Sequence, residues 1–405
     1  MEVTHLNTHV SGGAANAARR VHDGLEAYTD VESRFVCGPG ARAQWATSVR
    51  RPRDRRWPLR SIEFRWRHFV EQKRYGMGKP YTYHSDCRDG IKPDFLDCVY
   101  PADVVNLHWV AHFLDLPSCI PWLAERAPLV WTLHDMNPFK GIWHYEPAPD
   151  EITRPLDRWD HAVRDLKRAA FDAIPADRLK IVAPSNWMAR EARNSDLMGK
   201  FEVQVIPYGL NTRAFSPVPK SVAKRALGIS PEQIVIGFLE DGMGDPRKGF
   251  HKLREALELL KGVRPVLVTG GGGESQADGT EHLHLGRMDS PYFLRLFYSS
   301  LDVFVCPSLQ DNLPNTVLES LACGTPVISF ETGGLPDMVR PGSTGWLVPP
   351  FDVRKLAETI TDAVADRQTL EMLSVTCREV AVKEYPLEVQ ANRYKELYEA
   401  LVSGN

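Results

Sequence analysis

The chain has no run of 18 apolar residues, which excludes a hydrophobic membrane-spanning helix. Its seven cysteines, at 37, 87, 98, 119, 306, 323 and 377, form no CxxC pair, so neither a zinc site nor a disulfide framework is indicated. An odd, scattered set of this kind reads as reduced and mostly buried, which leads to an expected cytoplasmic setting. The formal net charge is only −3, so nothing in the overall balance draws the chain to nucleic acid or to a lipid surface. The opening residues MEVTHLNTHV lack the basic region and apolar core of a signal peptide. Internal repeats and low-complexity tracts are missing too. What is present is ordinary for a globular protein: 405 residues, 43% hydrophobic and 25% charged, enough for two domains.

The most informative stretch runs from Cys306 to Phe330, CPSLQDNLPNTVLESLACGTPVISF. Val303, Phe304 and Val305 lead into it as a buried strand that ends at Pro307. Asp311, Asn312, Pro314 and Asn315 make a turn-rich loop. Thr316 to Ala322 has helical spacing, Gly324 stops it, and Val327 to Phe330 forms the next strand. A helix start offers backbone N–H groups and partial positive charge, which suits a phosphate or diphosphate. The carboxylates of Asp311 and Glu319 would repel such an anion, so they suit sugar hydroxyls instead. The combination describes a pocket for a nucleotide joined to a sugar, set against the plainer reading of a buried helix in any α/β domain.

The stretch resembles the signature of the retaining glycosyltransferases of family 4, the glycosyl transferases group 1, which have the GT-B fold. Those enzymes show two Glu with seven residues between them and then a Gly-x-Pro-Val turn. Here Asp311 and Glu319 bracket seven residues, and Gly324-Thr325-Pro326-Val327 follows. The first acid is Asp, with one methylene less of reach. The resemblance implies an α/β chain of two doubly wound Rossmann-like domains facing a central cleft. It implies an acceptor-side domain at 1–212, a nucleotide-sugar domain at 213–385, and a last helix at 386–405 that crosses back to the first domain.

It also implies roles. Glu319 would bind ribose hydroxyls. Asp311 and the backbone of Asn312, Leu313, Pro314 and Asn315 would hold the donor sugar, with the Asn315–Thr316 amides on the diphosphate. In Trp131-Thr132-Leu133-His134-Asp135, His134 stands where family members approach the reacting sugar. Arg247-Lys248-Gly249 opens a helix, and Lys248 and Arg247 suit the charge of a leaving diphosphate. Gly12 and Gly13 follow the first strand and open a helix, a phosphate-cradling arrangement. Arg287 and Met288, after Gly286, stand where the family reads the base. Departure from the front face needs no protein nucleophile. No Asp-x-Asp falls in a suitable strand-end context, so no catalytic metal is expected. No cofactor is expected beyond the donor substrate, a UDP-sugar ahead of a GDP-sugar. The acceptor would be a saccharide or glycolipid hydroxyl in surface polysaccharide or glycoconjugate synthesis. Other GT-B enzymes, an epimerase or a phosphorylase, and a non-catalytic sugar-nucleotide binder are the alternatives.

Two segments stand apart. Residues 50–74 carry ten Arg or Lys against three acids, with Trp57, Phe64, Trp66 and Phe69 interleaved. An amphipathic helix over 59–73 is expected there. It suits an anionic membrane surface or a lipid-diphosphate acceptor, against the readings of a solvated arm and of nucleic-acid binding. Residues 137–160 read as a long loop on the acceptor side, with a helix from 161 to 174.

Overall fold

The computed structural model describes residues 1–49, 82–242, 244–273 and 279–404, which divide into two compact units. The basic segment 50–74 and its expected helix lie outside the described residues. The first unit comprises Met1–Ile206 with Ala391–Asn405, and the second Pro207–Gln390.

The first unit alternates strand and helix. Its strands are β1 (Glu2–Asn7), β2 (Glu32–Cys37), β3 (Thr47–Ser48), β4 (Val104–Leu107), β5 (Leu129–Thr132), β6 (Leu179–Ala183) and β7 (Glu202–Val205). Its helices are α1 (Gly13–Tyr28), α2 (Leu116–Arg126), α3 (Arg154–Asp172) and α4 (Asn186–Asn194). The sheet is parallel throughout, in the order β3-β2-β1-β4-β5-β6-β7. The second unit holds β8 (Val235–Gly242), β9 (Val266–Gly272), β10 (Glu281–His284), β11 (Val303–Cys306), β12 (Val327–Phe330) and β13 (Gly345–Val348). Its helices are α5 (Lys220–Ala226), α6 (Phe250–Glu258), α7 (Pro291–Ser300), α8 (Asn315–Ala322), α9 (Leu335–Met338), α10 (Val353–Ala365) and α11 (Arg367–Glu384). The second sheet is also parallel, in the order β10-β9-β8-β11-β12-β13.

Parallel strands covered by helices on both faces have no wet side, so their sequences are continuous apolar runs. β4, β5, β11 and β12 are buried at every position. Each sheet turns at its middle, where β1 meets β4 and where β8 meets β11. In such sheets ligands sit outside the carboxyl ends of the strands, at that turn.

The last helix, α12 (Leu387–Ser403), enters from the second unit, and its residues from Ala391 onward pack with the first. Tyr394 and Tyr398 are fully buried there. The Tyr394 hydroxyl lies 2.9 Å from Thr132 Oγ1, and Asn106 Nδ2 donates to the Tyr398 hydroxyl at 2.7 Å. The units part at 206/207 and 390/391, against sequence-expected boundaries at 212/213 and 385/386. The reason is a short pairing: Leu210 N–H donates to Tyr385 O at 2.7 Å, and Leu387 N–H to Leu210 O at 3.2 Å.

Two helical stretches differ from the sequence reading. α3 starts at Arg154, inside the expected 137–160 loop, because Thr153 Oγ1 accepts the Leu156 N–H and a proline occupies the first turn. α2 was not anticipated: it carries Pro117 in its first turn and Pro121 inside, and proline normally argues against a helix.

Candidate functional site

In the second unit the site is built where β8 and β11 end. Beyond β8 the chain makes a single turn at Pro246–Lys248 and then enters α6 at Phe250. Asp245 caps that turn, its Oδ1 accepting the Arg247 N–H at 3.0 Å. Gly249 joins turn to helix with φ of 76°, and a Cβ there would stand 1.9 Å from Pro307 O. Only glycine meets both conditions, and so the turn lies directly on the loop after β11. Leu309 N–H then donates to Arg247 O at 2.7 Å. From the other side, Gly333 (φ 55°) places its backbone against Asp311 O, and Gly334 N–H donates to that carbonyl at 2.9 Å.

This clamp brings the charged side chains together. Lys248 Nζ donates to Asp311 Oδ2 at 2.7 Å, and Arg247 Nη1 lies 3.8 Å from the same oxygen. Arg247 also donates to Gln310 O at 2.7 Å and to Asp245 Oδ2 at 3.0 Å. Ser308 Oγ–H and the Asn312 N–H complete the shell of Asp311, at 3.3 and 3.0 Å. Burial pushes the Asp311 carboxyl up, but Lys248 and Arg247 outweigh it and hold the group below the usual carboxylate range. Asp311 therefore anchors a lysine, a contact the sequence reading did not contain. Glu319 is buried on α8 and accepts from the Tyr298 hydroxyl at 3.1 Å. Asn312, Leu313 and Pro314 are buried, and Asn315 and Thr316 are half-buried at the start of α8. Arg287 is exposed and ion-paired to Asp289 at 3.0 Å, while Met288 is buried against Gly270.

The first unit contributes a second cluster at strand ends. Gly12 (φ 96°) is the N-cap of α1, and Gly13 is its first residue. His134 lies two residues past β5 and is buried. Its Nε2 sits 3.0 Å from His108 Nδ1, and His108 Nε2 sits 3.0 Å from His5 Nδ1. Beside it, Asp135 accepts from Trp109 Nε1 at 2.7 Å and from the Asn137 N–H at 3.0 Å, and lies 2.5 Å from His144 Nδ1. His144 Nε2 in turn lies 2.8 Å from Ser85 Oγ. Burial pushes Asp135 up, but His144 and these donors keep it below its ordinary range. Lys167 fastens the loop that follows, donating to Asn137 O at 2.5 Å, Gly141 O at 2.8 Å and Lys140 O at 3.1 Å.

The structure thus brings Lys248, Arg247 and Asp311 into contact and sets Glu319 on the adjoining helix. It puts His134 and Gly12–Gly13 on the first unit. Sequence reasoning missed His5, His144, Ser85, Tyr298 and Glu240. Glu240, near the end of β8, is buried with its Oε2 unpartnered among the described residues. An acid pair directly after an apolar run, IVIGFLED, was the available signal.

Two parallel sheets, each followed by charged loop–helix junctions, define the GT-B class of glycosyltransferase fold. Solved structures agree along the whole chain: sucrose-phosphate synthase from Thermosynechococcus elongatus superposes with a TM-score of 0.70 at 18% identity, covering 100% of both chains. HepE from Anabaena, solved with UDP-glucose, gives 0.65 at 17% identity, over 99% of this chain and 100% of that one. Residues 233–366 match the pattern of the glycosyl transferases group 1. The D-inositol 3-phosphate glycosyltransferase of Thermobispora bispora is 30% identical over 295 residues, 67% of this chain and 64% of that protein. That of Mycobacterium sp. strain KMS is 33% identical over 274 residues, 64% and 58% respectively. The chain spans less than two thirds of the length of these curated relatives. Among the described residues no helix is long and apolar enough to cross a membrane.

Proposed function

We propose that this protein transfers a sugar from a nucleotide diphosphate sugar to an acceptor hydroxyl, retaining the anomeric configuration and using no metal. One observation carries the reading: Lys248, anchored on Asp311 at 2.7 Å and flanked by Arg247, at the glycine-clamped turn beside the start of α8. Negative charge grows on the departing diphosphate, so fixed cations and helix amides at that place stabilise the transition state more than the ground state. Asp311 keeps the Lys248 ammonium in place before the donor arrives, which avoids reorganisation during the reaction. Glu319 holds the ribose, and His134 hydrogen-bonds the donor sugar. A UDP-sugar is the favoured donor, in keeping with the UDP complexes of the similar Anabaena protein. The acceptor is a saccharide or glycolipid hydroxyl, and the relatives' name adds an inositol phosphate to the panel. The same reading places the enzyme in surface polysaccharide or glycoconjugate synthesis, with segment 50–74 meeting the anionic membrane.

The test is product analysis with UDP-, GDP- and ADP-glucose against saccharide, glycolipid and inositol phosphate acceptors. A glycosylated product with retained configuration is expected. Lys248→Ala should slow transfer by ~10²-fold, as loss of one charge-stabilising donor does elsewhere. Full activity in both Lys248→Ala and Glu319→Ala, on a pair the unaltered enzyme turns over, would overturn the site.

A further inference from the structure

Three imidazoles rise in file through the first sheet: His5 on β1, His108 just past β4 and His134 just past β5. β1, β4 and β5 are neighbours in the sheet. The N···N separations are 3.0 Å at both contacts. His108 gives one ring nitrogen to each neighbour, so the three form a line of hydrogen bonds and not a cage around one ion.

Counting protons settles what the line can do. Burial pushes all three rings down, His134 to about 4, so each is neutral near pH 7 and carries one N–H. Each N···N contact needs one N–H between its two nitrogens. Two contacts consume two of the three N–H groups. The third must sit at an end of the line, on His5 Nε2 or on His134 Nδ1. The rings are therefore coupled, because one changing tautomer forces the others to change.

Two observations choose the end. His5 Nε2 is buried without a partner among the described residues, with the Phe35 ring stacked 6.3 Å from its own. An N–H left there would be a buried donor with no acceptor, an arrangement rare in proteins. At the opposite end stands Asp135, held ionised by the Trp109 and Asn137 N–H groups and by His144. Its charge draws the positive end of the hydrogen-bonded line toward His134. Among the described residues, the charged or titratable groups that act on the line are His22 of α1 beside His5 and Asp135 beside His134.

We infer that His5 and His108 are positioning residues that lock His134 in the Nδ1–H tautomer, so that His134 meets its ligand as a hydrogen-bond donor and not as a base. Nε2 of His134 is already accepting from His108. A proton offered to the line has nowhere to leave, since its far end is the buried His5 Nε2. A donor at this place suits a sugar oxygen that gains hydrogen bonding in the transition state. The role assigned to that donor rests on the glycosyl-transfer reading, but the tautomer itself does not.

The experiment is long-range 1H–15N correlation on the full chain labelled at histidine, near neutral pH, with single His variants for assignment. His134 should show a protonated Nδ1 and a bare Nε2. His5→Phe fills similar space and removes the donor to His108, so His134 should become a mixture of tautomers. In transfer assays its kcat should fall roughly ten-fold or more with KM little changed, the scale seen when an orienting partner is lost. His5→Asn sets an amide nitrogen where Nδ1 stood and should restore both the single tautomer and kcat. A protonated Nε2 on His134, or a His134 spectrum unmoved by His5→Phe in a folded variant, would overturn the inference. If the tautomer is as stated and no transfer occurs with any donor, the inference stands and the glycosyl-transfer reading fails.

Discussion

Glu240 offers a measurement of the donor site through pH alone. The side chain is buried near the end of β8, and Oε2 has no partner among the described residues. Burial pushes its carboxyl up to about 8; Lys248 and Arg247 pull it down, and Asp245 and Asp311 push it back up. At about pH 7 some nine molecules in ten then carry a neutral acid, and at about pH 9 some nine in ten carry a carboxylate. A carboxylate beside Lys248 opposes a diphosphate, whereas a neutral acid does not. If only the neutral form binds, affinity for UDP falls about ten-fold across that interval. Glu240→Gln keeps the shape and cannot ionise, so it should keep its affinity. The assay is calorimetric titration with UDP at both pH values and fixed ionic strength, with Glu240→Gln as the control for titration of UDP itself. Stability gives an independent reading. The folded carboxyl lies above its ordinary value of 4.5, so the native state prefers the protonated form. That preference is fully present below about pH 4.5 and is lost as pH rises to about 8. Thermal unfolding should therefore favour Glu240→Gln increasingly over this window. Parallel pH curves for the two proteins, in binding and in melting, would refute the reasoning.

Two further outcomes follow from packing. Lys167→Met should cost about 3 kcal/mol or more in chemical denaturation, because two buried carbonyls and one half-buried carbonyl lose a charged donor; a loss under about 1 kcal/mol would show that water replaces it. Gly249→Ala should lower the melting temperature and weaken UDP binding together, since its Cβ would stand 1.9 Å from Pro307 O at a left-handed φ; unchanged melting and binding would show the clamp is not needed.

Much of the fold was legible because its parallel strands are unbroken apolar runs, as in Val303–Cys306 and Val327–Phe330. The end of β11, the loop and α8 read correctly from proline, asparagine and glycine placed where the backbone turns. α2 did not, since its two prolines mimic a loop while burial of Leu116, Cys119, Ile120 and Leu123 makes the helix. Within the site, Lys248 and Asp311 were each identified, yet their contact was invisible because it spans 63 positions and depends on a glycine against Pro307 O. The histidine line was illegible for a similar reason. Its members lie on or just past three strands that only the sheet order makes neighbours. Asp311, expected to face the donor sugar, carries Lys248 in the structure, and a short acid suits that task because the ammonium already reaches it.

The helix bearing Tyr394 and Tyr398 gives the first unit an unusual dependence on synthesis order. Asn106 and Thr132 are buried polar groups whose hydroxyl partners follow 292 and 262 positions later in the chain. During translation the whole of 207–390 emerges before those partners do. A nascent chain holding only the first 206 residues would leave apolar positions such as Val3, Val130 and Val182 partly uncovered. The cover of the sheet beside His134 thus waits for the second unit, although its strands precede that unit in the chain.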